Sequence, residues 1–234
     1  MSEEKLKARE AAIIEALREV RDGMVIGYGS GTTVEQMTPL LKKLAEERGY
    51  NLEFIPSSLQ SKELLISHGL KLTSLDENPN PDLVIDSFDQ VTESGDAVKG
   101  GGGALLREKV LAQSAKRVIY IGDHLKLAEK LSMPIPVEVL EYAYPHVKRI
   151  LESWGMKLVP RKSKGKLGPV ITDNGNILAD VDAGIIDSPE ELDSKLKSIS
   201  GVIETGIFPK LANLIIIGYP DGTVRRIEVA RRKI

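Results

Sequence analysis

Between Met24 and Ile121 the chain sets four short strand-like runs, Met24–Gly27, Leu52–Ile55, Leu83–Ile85 and Arg117–Ile121, among segments with helical spacing. Strands of that length separated by helix-length segments are βαβ units, and such units pair into a mainly parallel sheet covered by helices. Residues 3–21 place Leu6, Ile13, Leu17 and Val20 on one helical face before the stop Asp22-Gly23. Helical spacing returns at residues 34–47, and Ser57-Ser-Leu-Gln60 has the form of a capping box opening a helix through Ser67. Residues 104–114 read as a further helix.

From about Ile135 the rhythm changes. Strands are expected at 137–140, 157–161, 177–181 and 202–207, with helices at 145–154 and 189–198. Asp173-Asn-Gly-Asn176 is a hairpin turn signal between Val170–Thr172 and Ile177–Val181. The order β-α-β-β-α-β is the ferredoxin-like split unit. Leu214–Gly218 and Thr223–Val229 then pair across Pro220-Asp-Gly222. The expected fold is α/β: a Rossmann-like, mainly parallel sheet flanked by helices over residues 1–132 plus 208–234, with a smaller ferredoxin-like α+β domain inserted at 133–207. Lys162–Gly168 reads as an exposed loop.

Composition removes several function classes. Lys plus Arg number 32 against 34 Asp plus Glu, a net charge of −2, which lacks the basic excess of a nucleic-acid binder. One Trp, six Tyr and three Phe leave little for stacking single-stranded bases. There is no cysteine, so disulfides, thiolate metal sites and cysteine nucleophiles drop out together. His68, His124 and His146 are scattered and suggest no metal site. The most apolar run, Leu211–Tyr219, is far shorter than the ~20 residues of a membrane span. The charged start Met1-Ser-Glu-Glu-Lys-Leu-Lys is unlike a signal peptide. A cytoplasmic protein without membrane, nucleic-acid or metal partners is expected.

Three segments have chemistry written into them. Gly27-Tyr-Gly-Ser-Gly-Thr-Thr33 lies between a strand and a helix, where glycines admit an anion close to backbone N–H groups at a helix N-terminus. Ser30, Thr32 and Thr33 add hydroxyls, though the same residues also suit a tight turn with an N-cap. Asp86-Ser-Phe-Asp89 follows a buried run, at the strand end where open parallel sheets bind ligands. Its carboxylates suit sugar hydroxyls or proton transfer, and equally a polar turn. Lys99-Gly-Gly-Gly-Gly-Ala-Leu-Leu-Arg-Glu108 contains four successive glycines, each costing roughly 0.5–1 kcal/mol against Ala in regular structure. A backbone that hugs a ligand explains that cost, and a Lys and a Glu around it suit acid–base chemistry on a small anion. A flexible loop with solvated charges is the plainer alternative. All three segments are expected on one edge of the sheet.

In this order the segments resemble the type A ribose-5-phosphate isomerase family. Gly29–Thr33 is similar to its phosphate loop, Ser57-Ser58 to its Ser/Thr-Ser loop, and Lys99–Lys109 to its Lys-Gly-rich-Arg-Glu-Lys signature. The likeness continues through Pro136–Val139, Thr172–Asn176 and Gly206–Phe208, nearly the whole chain. The resemblance implies interconversion of D-ribose 5-phosphate and D-ribulose 5-phosphate without a metal or organic cofactor, by a homodimer or homotetramer. It places Glu108 at the proton-accepting position, and Asp86, Asp89 and Lys99 at the other catalytic positions. It places Ser30, Gly31, Thr32, Thr33, Ser87, Phe88, Gly100, Gly101, Gly102, Lys126 and Lys7 against the substrate. One departure stands out: the family usually reads Asp-Gly-Ala-Asp-Glu where this chain reads Asp86-Ser-Phe-Asp-Gln90, so the loop must sit differently or find a new pocket for the Phe88 ring. A sugar-phosphate sensor, which would not need Glu108, and a CoA-handling enzyme of similar architecture are the competing readings.

Overall fold

The computed structural model describes residues 2–165 and 167–232. In chain order the first half runs α1 (Glu3–Leu17), β1 (Val25–Tyr28), α2 (Thr32–Arg48), β2 (Glu53–Pro56), α3 (Leu59–Ser67), β3 (Lys71–Leu72), β4 (Leu83–Ser87), β5 (Gln90–Val91), β6 (Ala97–Val98), α4 (Leu105–Ser114) and β7 (Arg117–Asp123). The second half runs β8 (Ile135–Val139), α5 (Tyr144–Ser153), β9 (Lys157–Pro160), β10 (Ile177–Asp182), α6 (Pro189–Lys197), β11 (Val202–Thr205), β12 (Ile207–Phe208), β13 (Leu214–Gly218) and β14 (Val224–Glu228). No helix among the described residues is long and apolar enough to cross a membrane.

The chain forms two compact units. The first takes residues up to Phe88, then Arg107–Leu127 and the chain from Lys210. Its seven-stranded sheet has the order β14-β13-β7-β4-β1-β2-β3. Neighbours are parallel except for the β13–β14 hairpin. Chain direction across the sheet reverses between β1 and β4, and ligands of doubly wound sheets bind beyond the strand ends at such a switch point. Ile26, Tyr28, Phe54, Ile85, Ile119 and Ile216 fill the core with Ile13 and Met37 from the helices.

Helix α1 lies close on the sheet because Ala8, Ala12 and Ala16 are small and Gly218 has no side chain; a methyl there would overlap the Ala8 carbonyl. The helix stops at Leu17, earlier than its apolar pattern suggests, and Leu6 in the first turn stays 40% exposed.

The second unit takes Asp89–Leu106 and Ala128–Pro209. Residues 89–106, 128–132 and 208–209 therefore group here, although the sequence boundary put them with the larger domain. The order β8-α5-β9-β10-α6-β11 builds a four-stranded antiparallel sheet, β11-β8-β10-β9, the ferredoxin-like arrangement. Val137, Val139, Leu158 and Val181 face Val147, Leu151 and Leu196 of its helices in one core. The strand expected over 202–207 breaks at Gly206, where a methyl would overlap the Lys99 carbonyl, and β12 joins β6 and β5 in a separate small sheet. Two-residue strands such as β5 and β6 leave no periodicity to read.

The expected hairpin at 170–181 closes around an antiparallel Ile171–Ile177 bridge, with Thr172 N–H donating to the Asn176 carbonyl (2.8 Å) and Leu178 N–H to the Val170 carbonyl (3.0 Å). The turn's side chains converge on one acid: the Thr172 hydroxyl (2.8 Å), Asn174 amide (3.0 Å) and Asn176 amide (2.8 Å) all donate to Oε1 of Glu138, which is fully buried on β8. The loop expected at 162–168 is exposed at residues 162–165, 167 and 168, and Lys166 lies outside the described residues.

Asp82, at the start of β4, ties the first unit together by accepting from Val25 N–H (2.9 Å) and the Lys116 ammonium (2.7 Å). Those bonds, the lysine's first, hold its carboxyl below the usual range. A carboxyl lowered on folding stabilises above the ordinary value near 4, and that contribution disappears as pH falls. Asp82→Asn is expected to lower the Tm at pH 7 by roughly 1–3 °C, a gap that closes below about pH 3 in pH-dependent thermal unfolding.

Candidate active site

In the first unit the loops after β1, β2 and β4 leave the sheet at the switch point. The Asp86 carboxylate, 1% exposed, organises them: Oδ1 accepts from Ser30 N–H (3.3 Å) and Ser87 N–H (2.7 Å). Gly29 makes this possible, since any Cβ there would overlap the carboxylate. Gly31 follows as the N-cap of α2 at φ +97°, a conformation open to glycine, and no side chain caps the helix. The first-turn N–H groups of α2 carry the positive end of the helix dipole without a side-chain cap among the described residues. Thr33, 1% exposed, holds a buried hydroxyl without a hydrogen-bond partner among the described residues.

Serines brace the loop from the neighbouring strand. Ser30 Oγ lies 2.7 Å from Ser57 Oγ and donates to Ser58 Oγ at 2.7 Å. The capping box that opens α3 is built by Ser58 and Ser61, one position later than the motif Ser57–Gln60 predicts. Gln60 is free of that duty, and its side-chain carbonyl accepts from Gly31 N–H at 3.0 Å. From α1, Arg9 donates to Thr32 Oγ1 (3.0 Å) and to Asp123 Oδ2 (3.1 Å), an ion pair almost wholly withdrawn from water.

Phe88 finds its pocket against β7. Its ring is 1% exposed and lies over Gly122, where a Cβ would come within 2.5 Å of the ring. Lys126 Nζ donates to the Phe88 carbonyl and stands 5.6 Å from the ring centroid. Lys126 is thereby directed back onto the 86–88 segment. Ser87 Oγ donates to the Ser30 carbonyl at 3.4 Å. Glu108, 5% exposed, sits in the first turn of α4.

In the second unit, Asp89 Oδ2 accepts from Gly101 N–H at 2.7 Å, and a Cβ on Gly101 would meet that carboxylate. Lys99, 2% exposed, directs Nζ to within 5.3 Å of the Phe208 ring centroid. Its N–H donates to Gly206 (2.9 Å), and Gly103 N–H closes a turn onto the Gly100 carbonyl (2.9 Å). Gly102 is exposed, and its N–H has no protein partner among the described residues. Among the described residues no group of three His, Asp or Glu side chains is placed to hold a metal ion.

Residues 53–222 match the family described as ribose 5-phosphate isomerase A (phosphoriboisomerase A). The chain belongs to this family. It is 50% identical over 206 residues to ribose-5-phosphate isomerase A of Archaeoglobus fulgidus, an alignment covering 87% of this chain and 91% of that one. It is 35% identical over 232 residues to ribose-5-phosphate isomerase of Homo sapiens, covering 97% and 74% respectively. The solved structure of ribose 5-phosphate isomerase A from Methanocaldococcus jannaschii superposes with a TM-score of 0.89 at 37% identity, covering 95% and 98% of the two chains. A structure of D-ribose-5-phosphate isomerase in complex with phospho-erythronic acid gives 0.92 at 35% identity, covering 97% and 100%. Membership sets the enzyme class, an aldose–ketose isomerase.

The two basic residues of α1 lie in different surroundings. Lys7 is 59% exposed at its side chain and pairs with Glu3 on the outer face of α1. Arg9, two positions on and therefore about 200° around the helix, is the cation that reaches Thr32 at the start of α2. Arg9, Asp123 and Gln60 were not singled out from sequence. The signal for Arg9 is present nonetheless, a charge within the buried stripe Ala8, Ala12, Ile13 and Ala16. Arg9→Met strands the Asp123 carboxylate and is expected to cost about 3–5 kcal/mol in denaturant unfolding, against less than about 0.5 kcal/mol for Lys7→Ala. Gly122→Ala is expected to cost about 1–3 kcal/mol by displacing Phe88, and Phe88→Ala in the same chain should recover part of that loss.

Proposed function

We propose that the chain interconverts D-ribose 5-phosphate and D-ribulose 5-phosphate through an enediolate, with Glu108 as the shuttling base. The observation that carries this reading is a carboxylate buried to 5% exposure in the first turn of the helix after the glycine run. Glu108 takes the proton from C2, leaving a planar enediolate; the O2 hydroxyl proton passes to O1, and Glu108 returns its proton to C1, so one carboxylate serves both carbon transfers. General-base help of this kind typically contributes about 10²–10⁴-fold. Lys99 and the Gly102 N–H supply positive charge and a donor for the oxyanion that develops on the sugar. The substrate phosphate binds at the uncapped N-terminus of α2 with the Thr33 hydroxyl, its binding energy spent on placing the distant carbons. Asp86 acts mainly by shaping that loop through Ser30 and Ser87, and Asp89 handles sugar hydroxyls during ring opening.

The bound phospho-erythronic acid of the relative supports this reading, because an aldonic acid phosphate carries a planar anion where the enediolate would form. The scheme needs no cofactor, so full turnover is expected in EDTA. A cytoplasmic homodimer or homotetramer belongs to the same proposal, in keeping with apolar surface exposed at Tyr142, Leu140 and Ile203 of the smaller unit. Glu108→Gln is expected to fold normally, to lose at least about 10²-fold in kcat on ribose 5-phosphate and to keep its affinity for phospho-erythronic acid. Turnover close to that of the unaltered enzyme would overturn the assignment.

A further inference from the structure

The glycine run turns sharply, with Gly100 at φ +100° and Gly103 at φ +81°. Just past β9, Arg161 reaches this turn. Its Nη1 donates to the Gly100 carbonyl (2.9 Å) and the Gly101 carbonyl (2.8 Å). Its Nε and Nη2 each donate at 2.6 Å to a separate oxygen of Asp180 on β10. One planar guanidinium thus serves four acceptors, and the bidentate carboxylate sets its orientation.

A trans peptide points its carbonyl and its N–H in opposite directions. Both carbonyls that Arg161 holds belong to peptides whose N–H groups are those of Gly101 and Gly102, which therefore face away from the guanidinium. One of the two donates to Asp89 (2.7 Å), and the other is the Gly102 N–H. Gly102 itself is exposed, and a side chain there would meet nothing within 4 Å. A Gly-Gly peptide on its own flips readily because glycine accepts both signs of φ. A cation on the carbonyl side also polarises the peptide and strengthens its N–H as a donor.

We propose that Arg161, oriented by Asp180, is a positioning residue for the isomerisation. It fixes the two peptides that deliver Gly101 N–H to Asp89 and aim Gly102 N–H at the oxyanion developing on the substrate. The role rests on the reaction proposed above. Arg161→Lys keeps the charge beside Asp180 but cannot reach four acceptors, and Arg161→Ala removes the clamp.

The test assays both variants of the full chain beside the unaltered enzyme, with hydrogen exchange of the segment 99–106. Expected are a fall in kcat of about 10–100-fold, somewhat less than deletion of an oxyanion donor, and a parallel fall in affinity for phospho-erythronic acid. The KM for ribose 5-phosphate and inhibition by inorganic phosphate stay within about twofold. Exchange in 99–106 accelerates, and millimolar guanidinium restores part of the Arg161→Ala turnover. If Arg161→Ala fails to fold, Arg161→Lys alone decides. A kcat for Arg161→Lys within threefold of the unaltered enzyme, or unchanged phospho-erythronic acid affinity, would overturn the role. Loss confined to KM would do the same. Absence of turnover by the unaltered enzyme would instead overturn the reaction, and the role of Arg161 with it.

Discussion

The larger unit depends on a carboxylate buried at the end of a central parallel strand. Asp86 gives one oxygen to two backbone N–H groups, that of Ser30 in the loop after β1 and that of Ser87 beside it on β4, and Gly29 leaves it the room. Charge in so dry a place is tolerable only when hydrogen bonds satisfy it, so the amides and the carboxylate hold each other in place. With that contact made, Gly31 is set as the N-cap residue of α2, and Ser30 is delivered to the serines after β2. The placing of the α2 N-terminus beside the strand ends follows from the strand order and one acid.

Much of this was legible in residue order. Alternation of strand runs and helical spacing gave the parallel sheet, because burial on both faces demands apolar strands and helices to cover them. The split βαβ order of the second half gave the small antiparallel sheet. Glycines next to a hydroxyl-rich turn, and the run after Lys99, marked the loops in which the backbone approaches a side chain or a ligand closely.

What escaped reading has physical reasons. Strands of two residues, such as β5 and β6, are set by tertiary pairing and have no pattern of their own. The capping box could begin at Ser57 or Ser58 on spacing alone, and the choice depends on Gln60 being needed at Gly31. Lys7 and Arg9 are both basic and near in sequence, yet which of them is buried depends on how α1 is rotated against Gly218 and its alanine neighbours. The place for Phe88 required knowing that Gly122 lies across on β7, a fact about sheet register that local sequence does not contain.

The Glu138 cluster has a bearing on how the small sheet finds its pairing. A slip of two residues between β8 and β10 would keep every side chain on its own face, so the apolar core offers little protection against it. In the native register Glu138 stands opposite Leu178, and its carboxylate is met by three uncharged donors from the turn before β10. After such a slip the acid would be carried away from the donors that the turn provides, and a buried charge would be left unmatched. The acid acts as a proofreader of strand alignment, rejecting pairings that the hydrophobic pattern alone would accept.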